Sequence, residues 1–254
     1  MAAEQAAWRP RVFVTGASQG IGAGIAIEMA RKGYDVAVSS TRPEKLSAVL
    51  DDIRGTGARA LPVELEIRDQ SSIERAIAAV IGEFGGLDVL VNNAAVAVRK
   101  AALEFTMDEW NAVMSINLTG TFFMCQQMGR HLIAAKRPGS IINITSTHGL
   151  VGMAKRSAYG ISKAGVIRMA RMLAIEWAEH GIRVNTVAPG AVVTPSRAAM
   201  PADADHAAVR MARIPMKKLC TVEDVAAAVS YLASAQASYI TGQTLVLDGG
   251  VTSQ

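Results

Sequence analysis

Seven short runs rich in Val, Ile and Leu recur along the chain: RVFVT (11–15), VAVSS (36–40), ALPVEL (60–65), DVLVNN (88–93), SIINITS (140–146), RVNTVAP (183–189) and TLVLDGG (244–250). Between them lie stretches whose apolar residues return every three or four positions, such as IGAGIAIEMARKG, SSIERAIAAVIGEFGG and AGVIRMARMLAIEWAEHG. All three end in glycine, as helices often do. Apolar runs of this length, separated by segments long enough for helical crossovers, predict an α/β fold: a parallel sheet covered by helices on both faces.

No Pro/Gly/Ser linker, repeat or low-complexity segment divides the 254 residues. The reading is one domain over 1–254, with its core at about 11–250. Residues 191–221 break the rhythm. They form a connection rich in Ala, Met, Pro and charge, longer than most loops, and are expected to be a substrate lid or a surface excursion.

Composition narrows the function. Half of the residues are hydrophobic and 5% are aromatic, which suits an aliphatic core between layers. The 26 Lys and Arg against 22 Asp and Glu are scattered, with no basic run or aromatic-interleaved stripe, so no nucleic-acid partner is expected. Cys125 lies in a helical apolar stretch and Cys220 in a polar connection, so a disulfide framework is not expected and a reducing cytoplasm is. The start, MAAEQAAWRP, lacks a basic segment followed by an apolar core. No apolar run approaches the ~20 residues of a membrane span, and a soluble protein with no membrane partner is expected. His131, His148, His180 and His206 lack ligand spacing, so no metal site is expected.

Two motifs carry chemistry. The first run is followed by TGASQGIG and a helix from about Ile21, with Gly16, Gly20 and Gly22 in a G-x-x-x-G-x-G spacing. Glycines there let the backbone approach a pyrophosphate at a helix N-terminus. The second is STHGLVGMAKRSAYGISK, in which Tyr159 precedes Lys163 by four residues and follows Ser146 by thirteen. A phenol ordinarily titrates near ~10. On a helix beginning near Ser157, the lysine lies a turn away on the same face, and its ammonium favours the phenolate.

Together these motifs make the chain resemble the short-chain dehydrogenase/reductase family from about Arg11 to Gly250. It is most similar to 3-oxoacyl-carrier-protein reductase-like and sugar or polyol dehydrogenase members, through VNTVAPG and SYITGQTLVLDGG. The resemblance implies a single Rossmann-like doubly wound domain with a seven-stranded parallel sheet, a nicotinamide cofactor, and hydride transfer at a ketone or secondary alcohol. It also implies that Tyr159 is the general acid/base, that Ser146 binds the substrate oxygen, and that Lys163 also holds the cofactor's ribose hydroxyls. Asn117 matches the fourth member, which supports a water relay to the lysine.

Cofactor contacts implied by the resemblance are Gly16, Ser18, Gln19, Gly20, Ile21 and Gly22 in the loop, Glu66 and Ile67 at the adenine, and Asn93 and Ala94. Pro189, Gly190, Val192 and Thr194 match the pattern that fixes the nicotinamide carboxamide, and the pro-S hydride is expected. Glu66 stands where the family usually has Asp, and Ala95 where it has Gly.

The residues at the C-terminal end of the second run choose between cofactors. Asp35 is at the wrong end of it. At the right end stand Ser39, Ser40, Thr41 and Arg42 with no carboxylate, so the 2′-phosphate of NADP(H) is favoured over NAD(H), although Gln19 supplies no loop cation.

Candidate substrate contacts are Val96, Val98, His148, Leu150, Met153, Val193 and Met200, with Arg99, Lys155 and Arg156 around the mouth as an anion attractor or a solvated rim. The small carbonyl or alcohol substrate is open between a 3-oxoacyl thioester, a keto-sugar and another small ketone. A non-catalytic cofactor-binding regulator or scaffold is the alternative, and an epimerase or dehydratase a further one. Kinship implies a homotetramer built on the two long helices after the fourth and fifth strands and on the last strand.

Overall fold

The computed structural model describes residues 9–194 and 211–253. The strands are β1 (Arg11–Val14), β2 (Asp35–Ser40), β3 (Ala60–Glu64), β4 (Val89–Asn92), β5 (Gly139–Ile144), β6 (Ile182–Pro189) and β7 (Thr244–Leu247). They form one parallel sheet in the order β3-β2-β1-β4-β5-β6-β7. The helices are α1 (Gly20–Arg31), α2 (Ser47–Gly55), α3 (Gln70–Phe84), α4 (Met107–Met114), α5 (Thr121–Ala134), α6 (Ser157–Trp177) and α7 (Val222–Ala233).

Side-chain alternation along each strand divides the core in two. Val12, Val14, Val36, Val38, Val89, Val91, Ile142 and Ile144 pack with Ile25 and Met29 of α1, Ile53 of α2 and Val229 of α7. Phe13, Ala37, Leu90 and Ile141 point the other way, onto Ile77 of α3, Met124 and Met128 of α5 and Val166 and Leu173 of α6. Apolar residues on both faces are what made the runs continuous in sequence.

The last run ends before its glycines. The Asp248 carboxylate accepts from the backbone N–H of Gly250 and of Thr252, both at 2.8 Å, which turns the chain out of the sheet after Leu247. The helix containing Asn117 is not regular. Between α4 and α5, Ser115–Gly120 forms a π-helical segment, an irregularity that the 3.6-residue period does not announce.

The sheet order reverses between β1 and β4, so the loops after these strands diverge and leave a crevice at the C-terminal edge. Of the long connection 191–221, the stem is described. Val192 sits opposite Cys220, Val193 N–H donates to the Cys220 carbonyl (2.9 Å), and Cys220 N–H donates to the Ala191 carbonyl (3.1 Å). Residues 195–210, with Met200, lie outside the described residues. No helix among the described residues is long and apolar enough to cross a membrane, and no His/Cys/Asp/Glu group there could hold a metal ion.

Candidate active site

The glycine loop is fastened from two sides. Gly16 N–H donates to Ser39 Oγ (3.3 Å) and Ala17 N–H to the Ser39 carbonyl (2.9 Å), which ties the loop to the end of β2. Asn93 Nδ2 donates to the carbonyls of Thr15 (3.0 Å) and Gly16 (2.9 Å), while Thr15 Oγ1 accepts from the N–H groups of Asn93 and Ala94. Gly16 has φ +63°, and a Cβ there would lie 2.8 Å from Ala94 Cα, so the turn and the close approach both demand glycine. Gln19 caps α1 without a side-chain hydrogen bond, and the first turn contains no acid. The first N–H groups of α1 are therefore not capped by its own N-cap side chain.

The second motif lies across the crevice. Ser146 follows β5 and is buried, its Oγ accepting from His148 N–H (3.2 Å), which leaves the hydroxyl proton for another acceptor. Tyr159 is in the first turn of α6, and the Lys163 Nζ is 5.8 Å from its ring centroid. The His148 ring meets the tyrosine ring edge-on, 6.2 Å between centroids. Lys163 is only 3% exposed, and its Nζ donates to the Ile144 carbonyl at 2.8 Å. Burial pushes its ammonium down to about 8, so at neutral pH it remains mostly charged with two donors beyond the one Ile144 accepts.

These groups converge on one cavity of about 450 Å³. Of the expected residues, Ile21, Asn93, Ser146, His148, Tyr159, Lys163, Pro189, Gly190, Val192 and Thr194 line it. A Cβ on Gly20 would lie 3.6 Å from Thr194 Cγ2, so the glycine loop and the segment after β6 meet at its edge. The donor set, the glycine cradle and the buried ammonium fit an anionic dinucleotide with ribose hydroxyls.

Other expectations change. Val96, Val98, Met153 and Val193 are not among the lining residues; Ala95 and Ala97 take the place of the two valines. Alternation explains the shift, because the Val96 backbone is turned to Asn117: its N–H donates to Asn117 Oδ1 and its carbonyl accepts from Asn117 Nδ2, both at 2.9 Å. Met153 lines a neighbouring depression of about 310 Å³ with His148, Leu150, Arg156 and Ile161. The chain is held on both sides of Ala95, by Thr15 at Ala94 and by Asn117 at Val96, so the methyl in place of hydrogen leaves the loop anchored.

Asn117 is fully buried and its amide is engaged, with Nδ2 also donating to Ser162 Oγ (3.0 Å). Ser162 Oγ in turn donates to the Tyr159 carbonyl (2.7 Å). Sequence reasoning missed Ser162, Ala97 and Thr145, and a serine three residues after the tyrosine has no pattern that would single it out.

At the adenine end, Glu66 is clasped by Arg68, whose Nε and NH2 donate to its two oxygens at 2.9 and 2.8 Å. That contact holds the Glu66 carboxyl below its usual range. Ile67 is buried. At the end of β2, Ser40 Oγ accepts from Arg42 N–H (3.2 Å), and no ion pair among the described residues engages the Arg42 side chain. Asp35 is at the far end of β2, accepting from Arg59 N–H (3.0 Å). The sheet also brings Glu64, an exposed acid, into register with Ser40.

Residues 16–252 match the family model described as enoyl-(acyl carrier protein) reductase. The chain is 39% identical to 3β-hydroxysteroid dehydrogenase 1 of Eggerthella lenta, over 95% of this chain and 93% of that one. It is 38% identical to the 3-oxoacyl-acyl-carrier-protein reductase of Staphylococcus aureus, over 94% and 96%. Among solved structures, a candidate 2-deoxy-D-gluconate 3-dehydrogenase of Agrobacterium tumefaciens with bound NADP superposes with a TM-score of 0.89 at 33% identity, covering 96% of this chain and 97% of that one.

Proposed function

The chain belongs to the short-chain dehydrogenase/reductase family of NAD(P)-dependent oxidoreductases, and from that premise we propose that it interconverts a small ketone and its secondary alcohol, with Tyr159 as general acid/base and NADP(H) as the preferred cofactor. The observation that carries this is the convergence of Ser146, Tyr159 and Lys163 with Ile21, Pro189, Gly190, Val192 and Thr194 on one cavity.

When bound, the nicotinamide cofactor supplies the hydride for reduction or accepts it in oxidation. The protein's side chains do the rest. In reduction, the Tyr159 hydroxyl gives its proton to the carbonyl oxygen as charge develops there. The Ser146 hydroxyl, oriented by His148 N–H, donates to the same oxygen. Lys163 acts twice: its ammonium favours negative charge on the phenol oxygen, and its remaining donors bind ribose hydroxyls. Asn117 is a positioning residue, since its amide fixes the Val96 backbone and, through Ser162, the start of α6.

At the other end, the first N–H groups of α1 would hold a pyrophosphate, beside Gly16, Ser18, Gln19, Gly20 and Gly22. Asn93 and Ala94 hold that loop against the site, and Glu66 and Ile67 would flank an adenine. Ser40, Thr41 and Arg42 would hold a ribose 2′-phosphate, a choice supported by the NADP-bound relative and opposed by Glu64 and by the neutral Gln19 in the glycine loop. The protein is proposed to be a cytoplasmic homotetramer whose 191–221 segment covers the substrate.

The test is the rate of reduced-cofactor consumption with NADPH and, separately, NADH, against 3-oxoacyl thioesters, keto-sugars, diketones and cyclic ketones. Faster turnover with NADPH on at least one ketone is expected, and Arg42→Ala should reduce that preference by about tenfold. Tight cofactor binding with no turnover of any ketone would favour the non-catalytic binder. A preference for NADH would move the assignment to Glu64 and the ribose hydroxyls.

A further inference from the structure

Resting on the reductase reading above, we propose that Arg156 recognises a carboxylate on the substrate, so that the natural ketone or alcohol is a carboxylate-bearing one with an apolar carbon frame. Arg156 is half-buried and lines the cavity that contains Ser146 and Tyr159. It also lines the adjoining depression of about 310 Å³, and only Arg156 and His148 are shared by the two. Arg156 thus stands at the junction between the reacting centre and a second space open to substrate.

Among the described residues its charge has no acidic partner. Neither cavity has an acidic residue in its lining, and no ion pair among the described residues engages Arg156. The local backbone works against a cation here as well. Arg156 is the N-cap of α6, a helix with no acid in its first turn, so the positive end of the helix dipole adds to the arginine's charge. The preceding Lys155 adds another cation and takes φ +63°, a conformation lysine rarely adopts. A segment that breaks several local preferences at the mouth of a reacting site is suited to an anion delivered by the ligand.

The ligand's remaining chemistry follows from the second space. Leu150, Val151, Met153 and Ile161 line it and are exposed, an apolar bed for a carbon frame. All of its lining residues fall within 148–164, and none comes from the glycine loop or from the ends of β2 and β6, so this second space is open to substrate and not to the cofactor's phosphates. Arg156 and Tyr159 are three residues apart at the start of one helix, about one turn. A short frame can therefore hold its carbonyl at the tyrosine and its carboxylate in the guanidinium fork.

The experiment compares two probes, a cyclohexanone with a carboxylate opposite the carbonyl and the same ring with the primary amide. Its readout is the ratio of their kcat/KM values with NADPH. The wild-type ratio is expected to favour the carboxylate by about tenfold or more. It should fall toward one in Arg156→Gln, with Arg156→Lys between the two because an ammonium keeps the charge without the fork. A wild-type ratio near one would overturn the proposal. So would a ratio unchanged in Arg156→Gln, including equal losses on both probes, which would make the arginine structural. Absence of turnover on both probes would count against the reductase reading and not against this one. The same ratio is then taken from dissociation constants measured by calorimetry in the presence of NADPH, with the same outcomes decisive.

Discussion

Lys163 is the residue at which burial and chemistry oppose each other. Its ammonium is held in a site 3% exposed, donating to the Ile144 carbonyl, and burial brings it from 10.5 to about 8. Because the folded pKa lies below the unfolded one, the unfolded chain binds more protons between about 8 and 10.5, and stability rises with pH across that window. Below about pH 8 the full penalty is present, up to ~3 kcal/mol at ~1.4 kcal/mol per unit. Lys163→Met, in the cofactor-free protein, should thus gain about 1 to 2 kcal/mol at neutral pH after losing the bond to Ile144, while turnover is abolished. Denaturant melts at several pH values check this: the gain must shrink as pH rises past 8, and a gain that grows would refute the assignment. Burial also pushes the Cys125 thiol up to about 12 and the Cys220 thiol to about 11. Neither should react quickly with a disulfide reagent at mildly alkaline pH until the protein is unfolded, and rapid labelling of native Cys125 would contradict its burial. At this scale the sequence was informative where spacing encodes contact. Tyr159 and Lys163 announce themselves by one helical turn, whereas Ser162 and Ala97 join the site through the tertiary path of the chain.

Strands and helices were the most readable part of the chain, because a sheet buried on both faces writes itself as unbroken apolar runs and every run became a strand. The π-helical Ser115–Gly120 segment was not readable, since one extra residue in a turn leaves the apolar spacing nearly intact. Its effect on the site is direct. Asn117 lies within it, fully buried, and reaches the Val96 backbone on one side and Ser162 on the other. Gly120 ends it at a place where a Cβ would come 2.5 Å from the Ile67 carbonyl oxygen, a backbone atom that cannot swing aside. Gly120→Ala should therefore destabilise the protein by about 1 to 3 kcal/mol and weaken cofactor binding through the displaced Ile67. Chemical denaturation together with cofactor titration reads both effects, and an unchanged midpoint would show that the segment yields easily. Ser162→Ala should cost about 1 kcal/mol and lower kcat more than it raises KM, because it loosens Asn117 and the Tyr159 backbone without touching the reacting atoms.

For the whole molecule, the outer faces of α5 and α6 form an apolar cleft of about 1130 Å³ that includes Phe122, Ile133, Met172 and Trp177. Ile175 of the same helix is 78% exposed. An apolar surface of this kind is what a subunit interface requires, and the proposed homotetramer predicts a light-scattering mass four times that of one chain. Replacing Met172 and Ile175 by Glu should yield smaller species, while a single-chain mass for the unaltered protein would remove the proposal. Composition and periodicity alone left this open, since the same helices also pack on the sheet with their inner faces. If the groups gathered on the crevice transfer a proton to a carbonyl oxygen, Tyr159→Phe must lose turnover at saturating NADPH on a ketone that the unaltered protein reduces. In that variant kcat is expected to fall by at least a hundredfold, on the scale of general acid catalysis, while the cofactor's dissociation constant changes by less than about threefold. Turnover retained in Tyr159→Phe would contradict that expectation and place the acid elsewhere in the crevice.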